Sequence, residues 1–232
     1  MKELQRKKHS PKDLIIYEDE AILVCHKPCG LAVQTKQVAQ KDLESIMKTY
    51  ISAQTAPYLA LINRIDQPVE GIVLFAKTSH AAAVLTSQLT EHTFEKEYLA
   101  ITSPPPAVSE QTLIDYLIRD SRQNRSFVMN DTTENSTLQP KAKRAKLHYQ
   151  TLQTQENQAL LKIQLETGRH HQIRVQLANQ NTPLLGDTKY GGAPNAFLCL
   201  CAHRLAFLHP LTKTPVEFCI TPKNPAFSRY LL

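Results

Sequence analysis

The sequence predicts an α+β fold: a mixed, largely antiparallel central sheet flanked by helices and loops. Three observations point there. Ala145, Leu147, Tyr149 and Thr151 alternate with Lys146, His148 and Gln150, and after a short polar turn Leu161, Ile163 and Leu165 alternate with Lys162, Gln164 and Glu166. Such period-two patterning on both sides of a turn is a hairpin signature. Helix-spaced apolar residues occur in isolated stretches, and strand-like and helix-like segments do not alternate regularly, which argues against a doubly wound sheet.

In chain order, Leu14–Tyr17 and Ala21–His26 read as antiparallel strands around Glu18-Asp19-Glu20, followed by the loop Lys27-Pro28-Cys29-Gly30. Asp42 is placed to cap a helix whose apolar positions Leu43, Ile46, Met47, Tyr50 and Ile51 share one face. Tyr58–Ile62 and Ile72–Ala76 are continuous apolar runs, the pattern of strands buried on both faces. Ser79 is the expected cap of a helix reaching Thr90, with Ala81, Ala82, Leu85 and Leu89 toward the core. Lys96–Thr102 and Gln111–Asp120 read as strands, and the polar stretch Asn130–Lys143 as an exposed loop. Beyond the hairpin, a helix is expected from Gly168 to Ala178, and Cys199–Ile220 is strand-like again, broken at His209-Pro210.

The 232 residues suffice for one substantial core or for two lobes sharing a sheet. No apolar run approaches a membrane span, and residues 1–13 read as a basic extension without the apolar centre of a secretory signal, so the chain is expected in the cytoplasm. Five cysteines, an odd number mostly in apolar surroundings, fit reduced core thiols better than a zinc site at Cys199, Cys201 and His203. The formal net charge of +6, concentrated at Arg6-Lys7-Lys8-His9 and at Lys141–Lys146, favours a polyanionic partner. None of the six glycines forms a phosphate-cradling motif, so no nucleotide cofactor is indicated.

Asn63-Arg64-Ile65-Asp66-Gln67-Pro68-Val69-Glu70-Gly71 places an arginine and an aspartate in a turn between two apolar runs, at the rim of a core. Rigidly held loops are common sites of chemistry, and a desolvated aspartate needs a cation to stay ionised. Taken alone, the pattern favours a solvated ion pair in a plain hairpin turn, since charged turn residues are common. On the helix expected from Gly168, Arg169 shares the face of Gln172, Ile173, Gln176 and Leu177. It either meets a carboxylate, for which Asp66 is the best candidate, or snorkels to water. Tyr98 lies in a strand with Lys96, where a phenol can stack on a base or simply pack. His170 and His171 are adjacent and lack H-E-x-x-H spacing, so no metal is assigned to them.

Together these segments resemble the RluA-type RNA pseudouridine synthases. The matching stretches are Tyr17-Glu18-Asp19, Lys27-Pro28-Cys29-Gly30-Leu31, Asn63-Arg64-Ile65-Asp66 through Gly71, Lys77-Thr78, Lys96-Glu97-Tyr98, Thr167–Arg174, Gly186–Gly191, Ala202-His203-Arg204-Leu205 and His209-Pro210. The resemblance implies the pseudouridine synthase fold over residues 14–232, with an active-site cleft, and an isomerase that converts uridine to pseudouridine in a structured ribosomal or transfer RNA. It needs no cofactor and is read as a monomer. Asp66 would be the essential catalytic aspartate, Arg64 its neighbour that fills the place of the flipped nucleotide, Tyr98 a cleft residue holding the uracil, and Arg169 the salt-bridge partner of Asp66. Phosphate contacts are expected from Lys77, Lys96, His170, Gln172, Arg174, Lys189, Lys143 and Arg144.

Asn63 and Val69-Glu70 stand where many family members carry His and Thr-Ser, which opens the question of substrate. The few residues before Leu14 are read as leaving no room for the S4 RNA-binding module of some relatives. Two other readings compete: a non-catalytic RNA-binding or RNA-folding protein on the same scaffold, and a metal-dependent hydrolase using His170, His171 and Asp187.

Overall fold

A computed structural model describes residues 10–35, 40–52, 57–129 and 142–230. Along the chain these form α1 (Pro11–Leu14), β1 (Ile15–Glu18), β2 (Ile22–Lys27), α2 (Leu43–Ile51), β3 (Ala60–Leu61), β4 (Glu70–Ala76), α3 (Ser79–Thr90) and β5 (Glu95–Thr102). There follow β6 (Glu110–Asp120), β7 (Arg125–Val128), β8 (Lys143–Gln155), β9 (Gln158–Leu165), α4 (Gln172–Asn179), β10 (Leu200–Leu208) and β11 (Pro215–Cys219). The architecture is α+β, and all strand pairs described below are antiparallel except one. The chain divides into two compact units, residues 1–96, 201–225 and 232, and residues 97–200 and 226–231.

In the first unit the strand order is β1-β2-β4-β10, with β3 also paired to β4 and β11 to β10. Among the described residues of this unit only β4 and β10 run parallel, through Glu70 opposite Cys201 and Gly71 opposite Ala202. Every residue of β4 is buried, as its unbroken apolar run requires. Ile72, Leu74 and Ala76 pack with Ile22 and Val24 of β2, Ala81 and Leu85 of α3, and Leu205 and Phe207 of β10. Gly71 sits at φ +149°, and a Cβ there would collide with Ala202, so the close approach of β10 to β4 requires glycine.

The helices in this unit begin with the expected chemistry, with one shift. Asp42 accepts the Ser45 N–H at 2.7 Å, while the Ser45 hydroxyl accepts the Asp42 N–H at 3.1 Å, a reciprocal capping box. For α3 the cap is Thr78, one residue earlier than expected: its hydroxyl accepts the Ala81 N–H at 3.0 Å. The first strand starts at Ile15, since Leu14 ends the single turn α1.

In the second unit the order is β5-β9-β8-β6-β7. The expected hairpin is β8 and β9, closed by Glu156 and Asn157, with Glu156 in a left-handed conformation at φ 52°. Strand β7 is not foreseen by the sequence reading; it pairs with β6 from Leu117 opposite Val128 to Asp120 opposite Arg125. Helix α4 contributes Val175 to a small core with Leu117, Ala145 and Tyr190. It starts at Gln172, four residues later than expected, because His171 adopts φ 54°, ψ 25° and interrupts the helical path.

Cys25, Cys199 and Cys201 are buried thiols, whereas Cys29 is half-buried and Cys219 is exposed, against the expectation for that end of the chain. The expected basic cluster at residues 6–9 and most of the expected loop at 130–143 lie outside the described residues, and Lys143 already belongs to β8. Among the described residues no helix is long and apolar enough to cross a membrane.

Candidate active site

The turn that carries Arg64 and Asp66 is shaped from both ends by side chains. On the amino side β3 is only two half-buried residues, not the doubly buried strand expected over Tyr58–Ile62. After the Ile62 N–H donates to Leu74 C=O at 3.0 Å, the Asn63 side chain takes over the ladder. Its Oδ1 accepts the Leu74 N–H at 2.7 Å and its Nδ2 donates to Ile72 C=O at 3.1 Å. The amide thus substitutes for main chain, and the backbone leaves the sheet to present Arg64 exposed, Ile65 buried and Asp66 half-buried.

The carboxyl side is held through its carbonyls. The Val69 N–H donates to Asp66 C=O at 3.0 Å, closing the turn. Gln67 C=O accepts the Gly30 N–H at 2.9 Å, the Gln67 Nε2 returns a bond to Gly30 C=O at 3.0 Å, and the Cys29 thiol donates to Pro68 C=O at 2.9 Å. Beneath these contacts lies Lys27, fully buried at the end of β2. Its Nζ donates to Leu31, Pro28 and Gln67 carbonyls at 2.7, 3.0 and 3.1 Å, which uses all three ammonium protons. Burial is the main influence on this lysine and pushes it down to about 7, against the opposing effect of Cys29, Asp66, Glu70 and Cys201.

Glu70, the first residue of β4, is a second buried charge in this unit, 4% exposed. Oε1 accepts from His26 Nε2 and from the Lys223 N–H, both at 2.8 Å, and Oε2 from the Asn224 N–H at 3.2 Å. Burial alone would raise its carboxyl, but these donors together outweigh burial and hold it below the usual value.

The second unit holds Tyr98 and Arg169. Tyr98 is buried on β5, opposite Ile163 of β9. Arg169 departs from its expected setting: it precedes α4 and is exposed, and its Nε donates to Arg144 C=O at 2.9 Å. The buried arginine of this segment is instead Arg174. Its Nε and Nη2 each meet an Asp187 carboxylate oxygen at 2.7 Å, with the two side chains 7% and 1% exposed. That bidentate pair corrects the expectation of Arg174 as a phosphate contact, because its donors are turned inward.

Gln172 is corrected in the same way. It is 3% exposed, and its Oε1 accepts the Thr167 hydroxyl at 2.8 Å and the Arg169 N–H at 3.0 Å. Lys77 is also turned inward, its Nζ 2.6 Å from both the Glu18 carboxylate and Asp19 C=O. Lys96 is half-buried, and burial lowers its pKa. Lys143, Arg144 and Lys189 are exposed, with Lys189 donating to Asn124 C=O at 3.0 Å, and Arg144 lies 3.8 Å from Glu166.

His170 is half-buried against the Ser126 hydroxyl at 2.9 Å and Asn124 Oδ1 at 3.1 Å. His171 is buried, 2.8 Å from the Tyr190 hydroxyl, and burial foremost, then Arg174, His170 and Lys189, pushes it down to about 3. The same phenol oxygen accepts the Ser126 N–H at 2.8 Å. Both Asp187 carboxylate oxygens are taken by Arg174, which removes that carboxylate from the metal-hydrolase reading.

Sequence reasoning missed Lys27 and Glu70 as structural charges. A signal existed for Lys27: it follows Leu23 and Cys25 in the period of the fully buried strand positions, where a charge must find internal partners. None existed for Glu70, whose partners at residues 223 and 224 are remote in sequence.

Three comparisons bear on this arrangement. The family described as RNA pseudouridylate synthase matches residues 21–179. The ribosomal large subunit pseudouridine synthase D of Zymomonas mobilis is 30% identical over 241 residues, covering 93% of this chain and 72% of that protein. The tRNA pseudouridine synthase C of Vibrio cholerae is 27% identical over 217 residues, covering 87% and 88%. An uncharacterized RNA pseudouridine synthase of Bacillus subtilis, YhcT, is 31% identical over 206 residues, covering 85% and 65%. In three dimensions the chain matches human RNA pseudouridylate synthase domain containing 1 with a TM-score of 0.76 at 19% identity, covering 96% of this chain and 89% of that one, a likeness of fold.

A match over most of the chain, with the Arg64-Ile65-Asp66 turn inside it, defines the class: this chain belongs to the RNA pseudouridylate synthase family. It is an RluA-type pseudouridine synthase, and the family's enzymes are isomerases.

Proposed function

We propose that this protein isomerises uridine to pseudouridine within a structured ribosomal or transfer RNA, with Asp66 as the essential carboxylate. The observation that carries the reading is the turn 63–70, which Asn63 and Lys27 pin at its two ends while Arg64 is exposed and Asp66 half-buried between them. Preorganised placement of a reacting group can supply several kcal/mol of a barrier. The ribosomal large subunit pseudouridine synthase D and tRNA pseudouridine synthase C named above act, by their names, on large-subunit ribosomal RNA and on tRNA, which supports a structured RNA as substrate.

The bond between N1 of uracil and C1′ of ribose breaks, the base turns, and C5 bonds to C1′, with the C5 proton lost and N1 protonated. No electrons are exchanged. Asp66 serves this sequence either as nucleophile at C1′ or as base at C2′. A uridine inside a folded RNA must leave its stack to be reached, which costs a few kcal/mol, and the exposed Arg64 is suited to occupy the vacated space. The roles of Tyr98 in holding the uracil and of Arg169 in keeping Asp66 ionised rest on the motif resemblance.

The test is incubation with uridine-containing ribosomal and transfer RNA transcripts, with pseudouridine read by mass spectrometry after carbodiimide labelling. Asp66→Ala should bind RNA and form none. Full turnover by Asp66→Ala would remove Asp66 from the reaction, and RNA-folding activity unaffected by that substitution would support the non-catalytic reading instead.

A further inference from the structure

We propose that Glu70 is a positioning residue for the reaction, its carboxylate tying the carboxyl end of the Asp66 turn to His26 and to the backbone at Lys223 and Asn224. The proposal rests on the reading of Asp66 as the catalytic carboxylate. Glu70 lies four residues beyond Asp66, directly after the turn closed by the Val69 N–H and Asp66 C=O. A buried carboxylate must satisfy its oxygens or give up its charge. Here the three donors come from two further segments: His26 on β2, and the main chain of Lys223 and Asn224 after β11.

The side chain is therefore a three-way junction. Two of its donors are main-chain N–H groups, so it fixes the path of residues 223–224 whatever their side chains are. Glu70 also helps keep Lys27 protonated, and Lys27 grips Gln67 C=O one residue after Asp66. Both routes converge on the backbone of the turn, and both act without Glu70 reaching a reacting atom. A displacement of about 1 Å at a catalytic group can cost roughly a hundredfold in rate.

The chemistry also separates this junction from a neutral one. A serine at this position would lack the length and the second oxygen to hold His26 and both N–H groups together. In this chain the Glu70 carboxylate instead holds His26 Nε2 at 2.8 Å together with the two main-chain N–H groups.

The experiment compares Glu70→Ala, Glu70→Gln, His26→Asn and His26→Asn/Glu70→Ala on an unmodified uridine-containing transcript that the unaltered protein converts, well below each variant's melting temperature and with the folded fraction measured. The expected result for Glu70→Ala is a fall in kcat of roughly 10- to 100-fold with KM changed by less than about threefold, since the group positions the reacting residue and does not bind RNA. Glu70→Gln, which keeps an acceptor oxygen for a main-chain N–H, should recover part of the rate. The double variant should be no slower than Glu70→Ala, because both substitutions break one junction. A folded Glu70→Ala or Glu70→Gln with unchanged kcat, or a loss confined to melting temperature, overturns the proposal. Asp66→Ala in parallel separates the two ideas: if it stays active, the role of Asp66 fails; if it is dead while Glu70 variants run at full rate, only the role of Glu70 fails.

Discussion

Two regions of the molecule bury charge, and they use it differently. Around the turn 63–70, Lys27 and Glu70 spend their polar atoms mainly on main-chain groups, three carbonyls for one and two N–H groups for the other. Around α4, Arg174 and Asp187 spend theirs on each other, and the neutral His171 and Tyr190 close a neighbouring pair. A side chain that holds backbone determines where the next residues point. A pair that satisfies itself mostly stabilises the elements it joins. The segment His170-His171-Gln172-Ile173-Arg174, rich in polar side chains, thus anchors its unit, whereas the charges beside Asp66 hold backbone.

The sharpest way to break this contrast is to substitute one residue from each region. Asp66→Asn should lower turnover by roughly 10⁴-fold or more with the melting temperature nearly unchanged, read by pseudouridine formation and by thermal unfolding. Arg174→Met should do the reverse: leaving Asp187 buried and unpaired costs about 3–5 kcal/mol, measured by denaturant unfolding. Arg174→Met/Asp187→Leu should regain much of that stability, because the uncompensated charge is gone. A double variant no more stable than the single one would mean that the pair does more than satisfy itself.

A smaller effect separates the regions by pH. Lys27 binds its proton less tightly when folded, at about 7, than when unfolded near 10.5, so between these values the unfolded chain holds more protons. Stability from this group should therefore rise with pH above about 7, by up to about 1.4 kcal/mol per pH unit. Lys27→Met should flatten that part of the profile in denaturant titrations at pH 7 to 9, whereas Arg174→Met should leave its slope in place.

The smallest effect concerns the exposed cations. Lys143→Ala and Arg144→Ala should change stability by less than about 0.5 kcal/mol. If they meet phosphates, each should reduce the salt dependence of RNA binding by about one unit of slope, measured by filter binding at several ionic strengths. Arg174→Met should leave that slope unchanged once the protein is folded.

Much of this was legible in the chain itself wherever the signal was local. The Asp42 cap, the apolar face of α2, the hairpin of β8 and β9 and the buried run of β4 each follow from neighbours within a few residues. The misplacements share a cause. Helix α4 begins late because His171 takes a left-handed conformation, and with it the wheel that set Arg169 on a core face dissolves. Strand β3 stops at Leu61 because the Asn63 amide, not the backbone, continues the ladder. Strand β7 is four residues long, too short for a period to declare itself.

Taken by itself, the sequence determined the α+β class, the family, the turn that carries Arg64 and Asp66, and the basic charge that suits a polyanion, because each depends on residue type and short spacing. Only the tertiary structure decided which charges are spent inside the protein. Lys27 and Gln67 are 40 residues apart, and Glu70 and Lys223 more than 150, yet buried polar groups must be satisfied wherever partners are found. That requirement acts in space, between segments that no local pattern brings together.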